Sequence, residues 1–100
     1  KTLTSTGGNL VLWSDYDNDG SGSISAGDNT SFTTSGGNIY LAGGTDTDSD
    51  GLPNGFATSS STHGIELGTQ ASSTTTMTTS GGNILIQGKC TSTTATTGHG

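Results

Sequence analysis

The chain has 100 residues, two basic and eight acidic, for a formal charge of −6, and only 25% of it belongs to the broad hydrophobic set. Lys1 and Lys89 offer no cationic surface to displace phosphate counterions, which excludes nucleic acid and disfavours anionic membranes as partners; no apolar run approaches the roughly 18 residues that span a bilayer, so no membrane insertion is expected. Ser and Thr fill 36 positions and Gly another 18, a composition shared with flexible linkers and with stalks carrying O-linked sugars.

Against that composition stands a repeat. Leu3-Thr-Ser-Thr-Gly-Gly-Asn-Leu-Val-Leu12, Phe32-Thr-Thr-Ser-Gly-Gly-Asn-Ile-Tyr-Leu41 and Met77-Thr-Thr-Ser-Gly-Gly-Asn-Ile-Leu-Ile86 align without gaps, with starts offset by 29 and 45 residues. Each unit reads apolar, three hydroxyl residues, Gly-Gly-Asn, then apolar-x-apolar. Offsets of this size mark architectures in which neighbouring units bury a shared core.

In the first unit, Leu10-Val11-Leu12 alternates with the period of a strand, and Asp15-Tyr-Asp17-Asn-Asp19-Gly20 follows it directly. Ser23-Ile24-Ser25 reads as a short second strand. Asn29-Thr30-Ser31 fits an N-glycosylation acceptor. The second unit repeats the order: strand Ile39-Tyr40-Leu41, acidic loop Asp46-Thr-Asp48-Ser-Asp50-Gly51, then strand Gly64-Ile65-Glu66-Leu67. In the third, Ile84-Leu85-Ile86 forms the strand, and Gly98-His99-Gly100 resembles Thr62-His63-Gly64.

Short strands punctuated by Gly, Ser, Thr and Asn, without helical periodicity, predict an all-β protein. The economical core favours a parallel β-solenoid (β-helix) of about three coils, at 1–29, 30–73 and 74–100, with two protruding Asp-rich calcium loops; a sandwich and a disordered stalk are the alternatives. In the solenoid, Leu3, Phe32 and Met77 stack internally, as do Leu10, Ile39 and Ile84, and Leu12, Leu41 and Ile86. Gly-Gly supplies a left-handed or close-packed corner. Asn9, Asn38 and Asn83 form a polar ladder.

Three carboxylates at alternating positions repel one another unless a cation lies among them. Calcium suits the pattern because it takes roughly six to eight oxygen ligands in adaptable geometry, whereas magnesium demands a stricter octahedron. The candidate ligands are Asp15, Asp17, Asp19, Ser21 and Asp28 in the first loop, and Asp46, Asp48, Asp50, the Leu52 carbonyl and Asn54 in the second. Asp-x-Asp-x-Asp-Gly resembles the calcium loops of EF-hands, dockerins and thrombospondin type 3 repeats. Ala26 and Ala57 stand where an EF-hand carries its bidentate Glu, and Asp28 is the nearby carboxylate able to substitute in the first loop.

No zinc motif, phosphate loop or dinucleotide fingerprint is present. His63 and His99 sit in matching turns, and Glu66 has no acidic partner nearby in sequence, so no enzyme activity is expected. Trp13 and Tyr16 offer sugar-stacking faces or, more simply, local packing. Cys90 is the only cysteine, which rules out an internal disulfide and leaves a small buried residue or an interchain thiol.

The "TSGGNIYL" and "TSGGNILI" units interrupted by "DxDxDG" loops, across residues 2–100, resemble the tandem β-strand repeats of very large bacterial secreted or surface proteins, filamentous-haemagglutinin-like adhesins among them. The resemblance implies an extracellular or cell-surface location. Together with the unpaired edges expected of stacked strands, it leads to a structural filament subunit whose partner is itself, head to tail. An adhesin spacer that reads surface glycans and an ice-binding protein with Thr arrays such as "STTTMTT" are the other readings.

Overall fold

The computed structural model describes residues 1–60 and 63–91, and these contain ten short strands and no helix. In chain order they are β1 (Thr2–Ser5), β2 (Leu10–Ser14), β3 (Ile24–Ala26), β4 (Ser31–Thr34), β5 (Ile39–Gly43), β6 (Ala57–Ser59), β7 (Ile65–Leu67), β8 (Thr76–Thr78), β9 (Ile84–Ile86) and β10 (Gly88–Cys90). The all-β expectation therefore holds.

The β-solenoid of about three coils does not. The strands instead form four small sheets of two or three strands, ordered β1-β4-β8, β2-β5-β9, β3-β7 and β10-β6. Only the strands flanking Gly-Gly-Asn recur in all three repeats; among the described residues β3 forms a two-stranded sheet with β7, and β6 one with β10, with a single antiparallel bridge from Thr58 of β6 to Gly22. Nor do the second and third expected stacks become internal throughout. Ile39 and Leu41 are fully buried, but Ile84 and Ile86 are 45% and 47% exposed. With few apolar side chains in each repeat, the central one is covered and the third is left open.

Where the repeats do meet, the sequence alignment becomes strand register. Leu3 pairs with Phe32 and Phe32 with Met77 in a parallel sheet, and Phe32 is 1% exposed. The apolar side chain at each repeat's start thus packs against its equivalent on the neighbouring strand.

Each Gly-Gly-Asn corner is built the same way. The first glycine takes a left-handed φ, +96° at Gly7, +100° at Gly36 and +115° at Gly81, which a Cβ would strain. The second permits close approach: a methyl group on Gly37 would overlap the Gly8 carbonyl, and one on Gly82 would overlap that of Gly37. A hydroxyl three residues back closes the turn onto the second glycine's carbonyl, from Ser5 to Gly8 at 2.8 Å, from Thr34 to Gly37, and from Thr79 to Gly82 at 2.6 Å. The Asn ladder runs through backbone donors. Asn38 N–H donates to Asn9 Oδ1 at 2.9 Å, and Asn83 N–H to Asn38 Oδ1 at 2.7 Å.

By contact density the chain divides into two compact units. One comprises Lys1–Val11, Ser25–Tyr40 and Glu66–Leu85, and holds the β1-β4-β8 sheet with the three corners. The other comprises Leu12–Ile24, Leu41–Ile65 and Ile86–Gly100, and holds both acidic loops with the β6-β10 pair, in which Ala57, Thr58 and Ser59 face Gly88, Lys89 and Cys90. His99 and its turn lie outside the described residues.

Candidate metal centres

Two loops of like construction leave the ends of β2 and β5. In each, the first aspartate reaches forward to cap the turn: Asp15 Oδ1 and Oδ2 accept from the N–H groups of Asp19 (3.0 Å) and Gly20 (3.2 Å), and Asp46 Oδ1 and Oδ2 from Asp50 (3.3 Å) and Gly51 (2.7 Å). The third aspartate caps the residue two further on, Asp19 accepting from Ser21 N–H and Asp50 from Leu52 N–H, both at 2.9 Å. Positive φ falls at the same places, Asn18 (+56°) and Gly20 (+84°) in one, Ser49 (+59°) and Gly51 (+82°) in the other. Short polar residues and glycine tolerate that conformation. The spacing of the sequence therefore specifies the backbone of the turn, and the turn gathers the carboxylates.

The result is two triplets, Asp15–Asp17–Asp19 and Asp46–Asp48–Asp50, in each of which one carboxylate oxygen per residue lies within 4.8 Å of the others. Both could hold a metal ion. Asp15 is buried at 8% exposure, and a buried carboxylate beside two others is costly unless a positive charge offsets it. A donor set of oxygens alone suits a hard cation rather than a soft one. In the second loop the crowding of carboxylates shifts their pKa values in opposite directions. Asp48 is raised above its ordinary value by the hydrogen bond with Asp50, by partial desolvation, and by contact with Asp46 and the Asp50 charge. For Asp46 desolvation is the largest single influence and pushes the pKa up, but the Gly51 N–H, the Asp48 contact and the Asp50 and Ser49 N–H groups together bring it below its ordinary value.

The remaining sequence candidates make hydrogen bonds of their own. Asp28 Oδ1 accepts from Thr69 N–H at 2.6 Å and Gln70 N–H at 3.2 Å, and the Thr69 bond first among these contacts lowers its pKa against partial desolvation. It ties the turn after β3 to the turn after β7 and stands outside the triplets. Asn54 Oδ1 accepts from Thr47 N–H and Oγ1, at 2.7 and 3.1 Å. Ser21 and Leu52 contribute the N–H groups already described.

The loops are also fastened by backbone. Gly43 and Gly55 form an antiparallel bridge that pinches the second excursion at its base, and Asn54 N–H adds a bond to the Thr45 carbonyl at 3.1 Å. The first loop returns through an antiparallel Gly22–Thr58 bridge, with bonds of 2.8 and 2.7 Å. Nothing in the sequence patterning marked these bridges beyond the glycines themselves.

Trp13, at the end of β2, donates from Nε1 to the Gly44 carbonyl at 2.7 Å, and its ring meets Tyr16 with centroids 4.9 Å apart. The pair packs locally, yet Tyr16 remains 72% exposed. Ser14 Oγ, next to Asp15, is buried without a hydrogen-bond partner among the described residues. Comparison with family models, curated proteins and solved structures finds no match to this chain.

Proposed function

We propose that the protein is a non-catalytic structural segment of an extracellular or cell-surface filament, its two aspartate loops fastened by calcium and its sheet edges adding further copies. The observation that carries the reading is the duplication of the acidic loop: two triplets with matching carboxylate-to-backbone hydrogen bonds and matching left-handed residues at Asn18 and Ser49 and at Gly20 and Gly51, though Asp15 is left-handed and Asp46 is not, each concentrating three carboxylates within 4.8 Å. In a chain with so little apolar surface, metal ligation takes over part of the stabilisation that core burial gives elsewhere. Calcium is favoured over magnesium because the loops are largely exposed and adaptable in their ligands.

Trp13 and Tyr16 make the test direct, since an aromatic ring near a bound lanthanide transfers excitation to it. Terbium titrated into the protein acquires sensitised emission, calcium displaces it, and thermal unfolding shifts upward with calcium by about 2.7 kcal/mol of stability at a hundredfold excess over Kd. Unchanged melting in millimolar calcium, with no sensitised emission, would overturn the calcium reading.

A second reading, a spacer or ligand-binding segment of a bacterial adhesin, is favoured by the exposed face of Tyr16, since an aromatic ring presented to solvent can stack on a sugar. Glycan-array binding lost in Tyr16→Ala distinguishes it.

A further inference from the structure

The corners of the first unit are directional, and their two outer members are complementary to each other. From one repeat to the next, two hydrogen bonds recur as a reciprocal pair. The later Asn N–H donates to the earlier Asn Oδ1 (Asn38 to Asn9, Asn83 to Asn38), and the residue after the earlier Asn donates its N–H to the later Asn carbonyl (Leu10 to Asn38 at 2.8 Å, Ile39 to Asn83 at 2.9 Å). Among the described residues, the third repeat presents the half of the pair left without its counterpart, Asn83 Oδ1 and Ile84 N–H. The first presents the other half, Asn9 N–H and the Asn9 carbonyl.

Gly8 carries a second mark. Gly37 and Gly82 must be glycine because the carbonyl of the preceding repeat lies where a Cβ would be. Gly8 occupies the equivalent position, yet the nearest atom to a Cβ built there is not backbone but the Ser5 hydroxyl oxygen at 3.2 Å, the one that donates to the Gly8 carbonyl, and its φ is outside the left-handed region. Within its own chain Gly8 has little need to be glycine. A carbonyl from another molecule, seated as Gly8's own carbonyl is seated against Gly37, supplies the need.

Burial follows the same logic. Phe32 and Thr34 of the central repeat are 1% and 0% exposed, whereas Leu3 and Met77 are half-buried, and Ile84 and Leu85 are 45% and 37% exposed. Neither β1 nor β8 carries a charge or a proline, the devices that ordinarily blunt a sheet edge.

We propose that a second copy of this chain docks its β1 edge onto β8, in the register that β1 makes with β4 and β4 with β8, with its Gly8 seated on Gly82 and its Asn9 N–H on Asn83 Oδ1. This rests on the structural reading above and names the surfaces and register through which that assembly forms. Because the two surfaces differ, the contact is heterologous and leaves a free edge at each end for further addition.

The test uses the full chain in calcium, by sedimentation velocity and electron microscopy, with two edge variants. Gly8→Val obstructs the β1 side and Thr78→Lys charges the β8 side; circular dichroism and terbium emission report that each remains folded and loaded. The expected result is assembly of the unaltered chain, monomers from either variant alone, and dimers when the two are mixed, each supplying the edge the other lacks. Assembly by Gly8→Val at the level of the unaltered chain, or no dimer in the mixture, overturns the docking and leaves the calcium reading standing. A monomeric unaltered chain with normal terbium emission overturns the docking likewise, and absent terbium emission counts against the calcium reading alone.

Discussion

The indole Nε1 of Trp13 donates to the carbonyl of Gly44 at 2.7 Å, joining the end of β2, which leads into one acidic loop, to the residue after β5, which leads into the other. Trp13→Phe keeps most of the packing on Tyr16 and removes this bond, leaving the Gly44 carbonyl to find another donor. The expected cost is about 1 kcal/mol, or a fall in Tm of roughly 4–8 °C for a domain of this size, measured by thermal denaturation in calcium.

Asp48 supplies a prediction whose sign changes with the cation. Its pKa is raised in the folded chain by Asp50 and Asp46, so its ionised form is disfavoured there, and the folded state gains as pH falls through the raised value. In chelator, Asp48→Asn therefore raises Tm and flattens that acid-side gain. In calcium the same change removes a proposed ligand, so the stabilisation by calcium is expected to shrink. A pair of melting curves per variant, with chelator and with calcium, reads both signs.

Asp28 behaves in the opposite sense. Its pKa is lowered below 3.8, first by the Thr69 N–H. A carboxylate held low in the folded state stabilises fully above the unfolded value and loses that contribution as pH falls through the folded one. Asp28→Ala lowers Tm at neutral pH, and the deficit relative to the unaltered chain narrows below about pH 4, independently of calcium. An equal deficit at pH 7 and pH 2.5 would show that its carboxylate charge is not what holds the turn.

Gly37 and Gly8 occupy the same place in successive repeats and should respond differently to a single methyl group. Gly37→Ala drives a Cβ into the Gly8 backbone, and about 1–3 kcal/mol of destabilisation is expected. Gly8→Ala meets only the Ser5 hydroxyl, and urea unfolding of dilute protein should be nearly unchanged.

The register of the Gly-Gly-Asn repeats was legible because three gapless copies leave one alignment, and Leu3, Phe32 and Met77 pair accordingly. The acidic turns were legible because alternate aspartates before glycine encode a turn and a charge problem together. A continuous solenoid was overread from the same repeats. β6 and β10 had no signal, since Ala57-Thr58-Ser59 and Gly88-Lys89-Cys90 show neither alternation nor bulk. Hydrophobic counting also missed that threonine belongs to the core: Thr34 and Thr30 are 0% and 2% exposed, and their hydroxyls bond to the carbonyls of Gly37 and Gly27. Asp28 and Asn54 stood out as oxygen donors, but their hydrogen-bond partners, Thr69 and Thr47, are set by how the turns fold rather than by an acidic pattern.

The bridge between Gly43 and Gly55 gives the second excursion a waist. Whatever lies between those two glycines begins and ends at nearly the same point, so its length and content can vary with little change in where β5 stops and where the chain resumes toward β6. Such a segment is an interchangeable cassette, and a tag, an epitope or a different ion-binding sequence placed there would be carried outward without altering the strands that hold it.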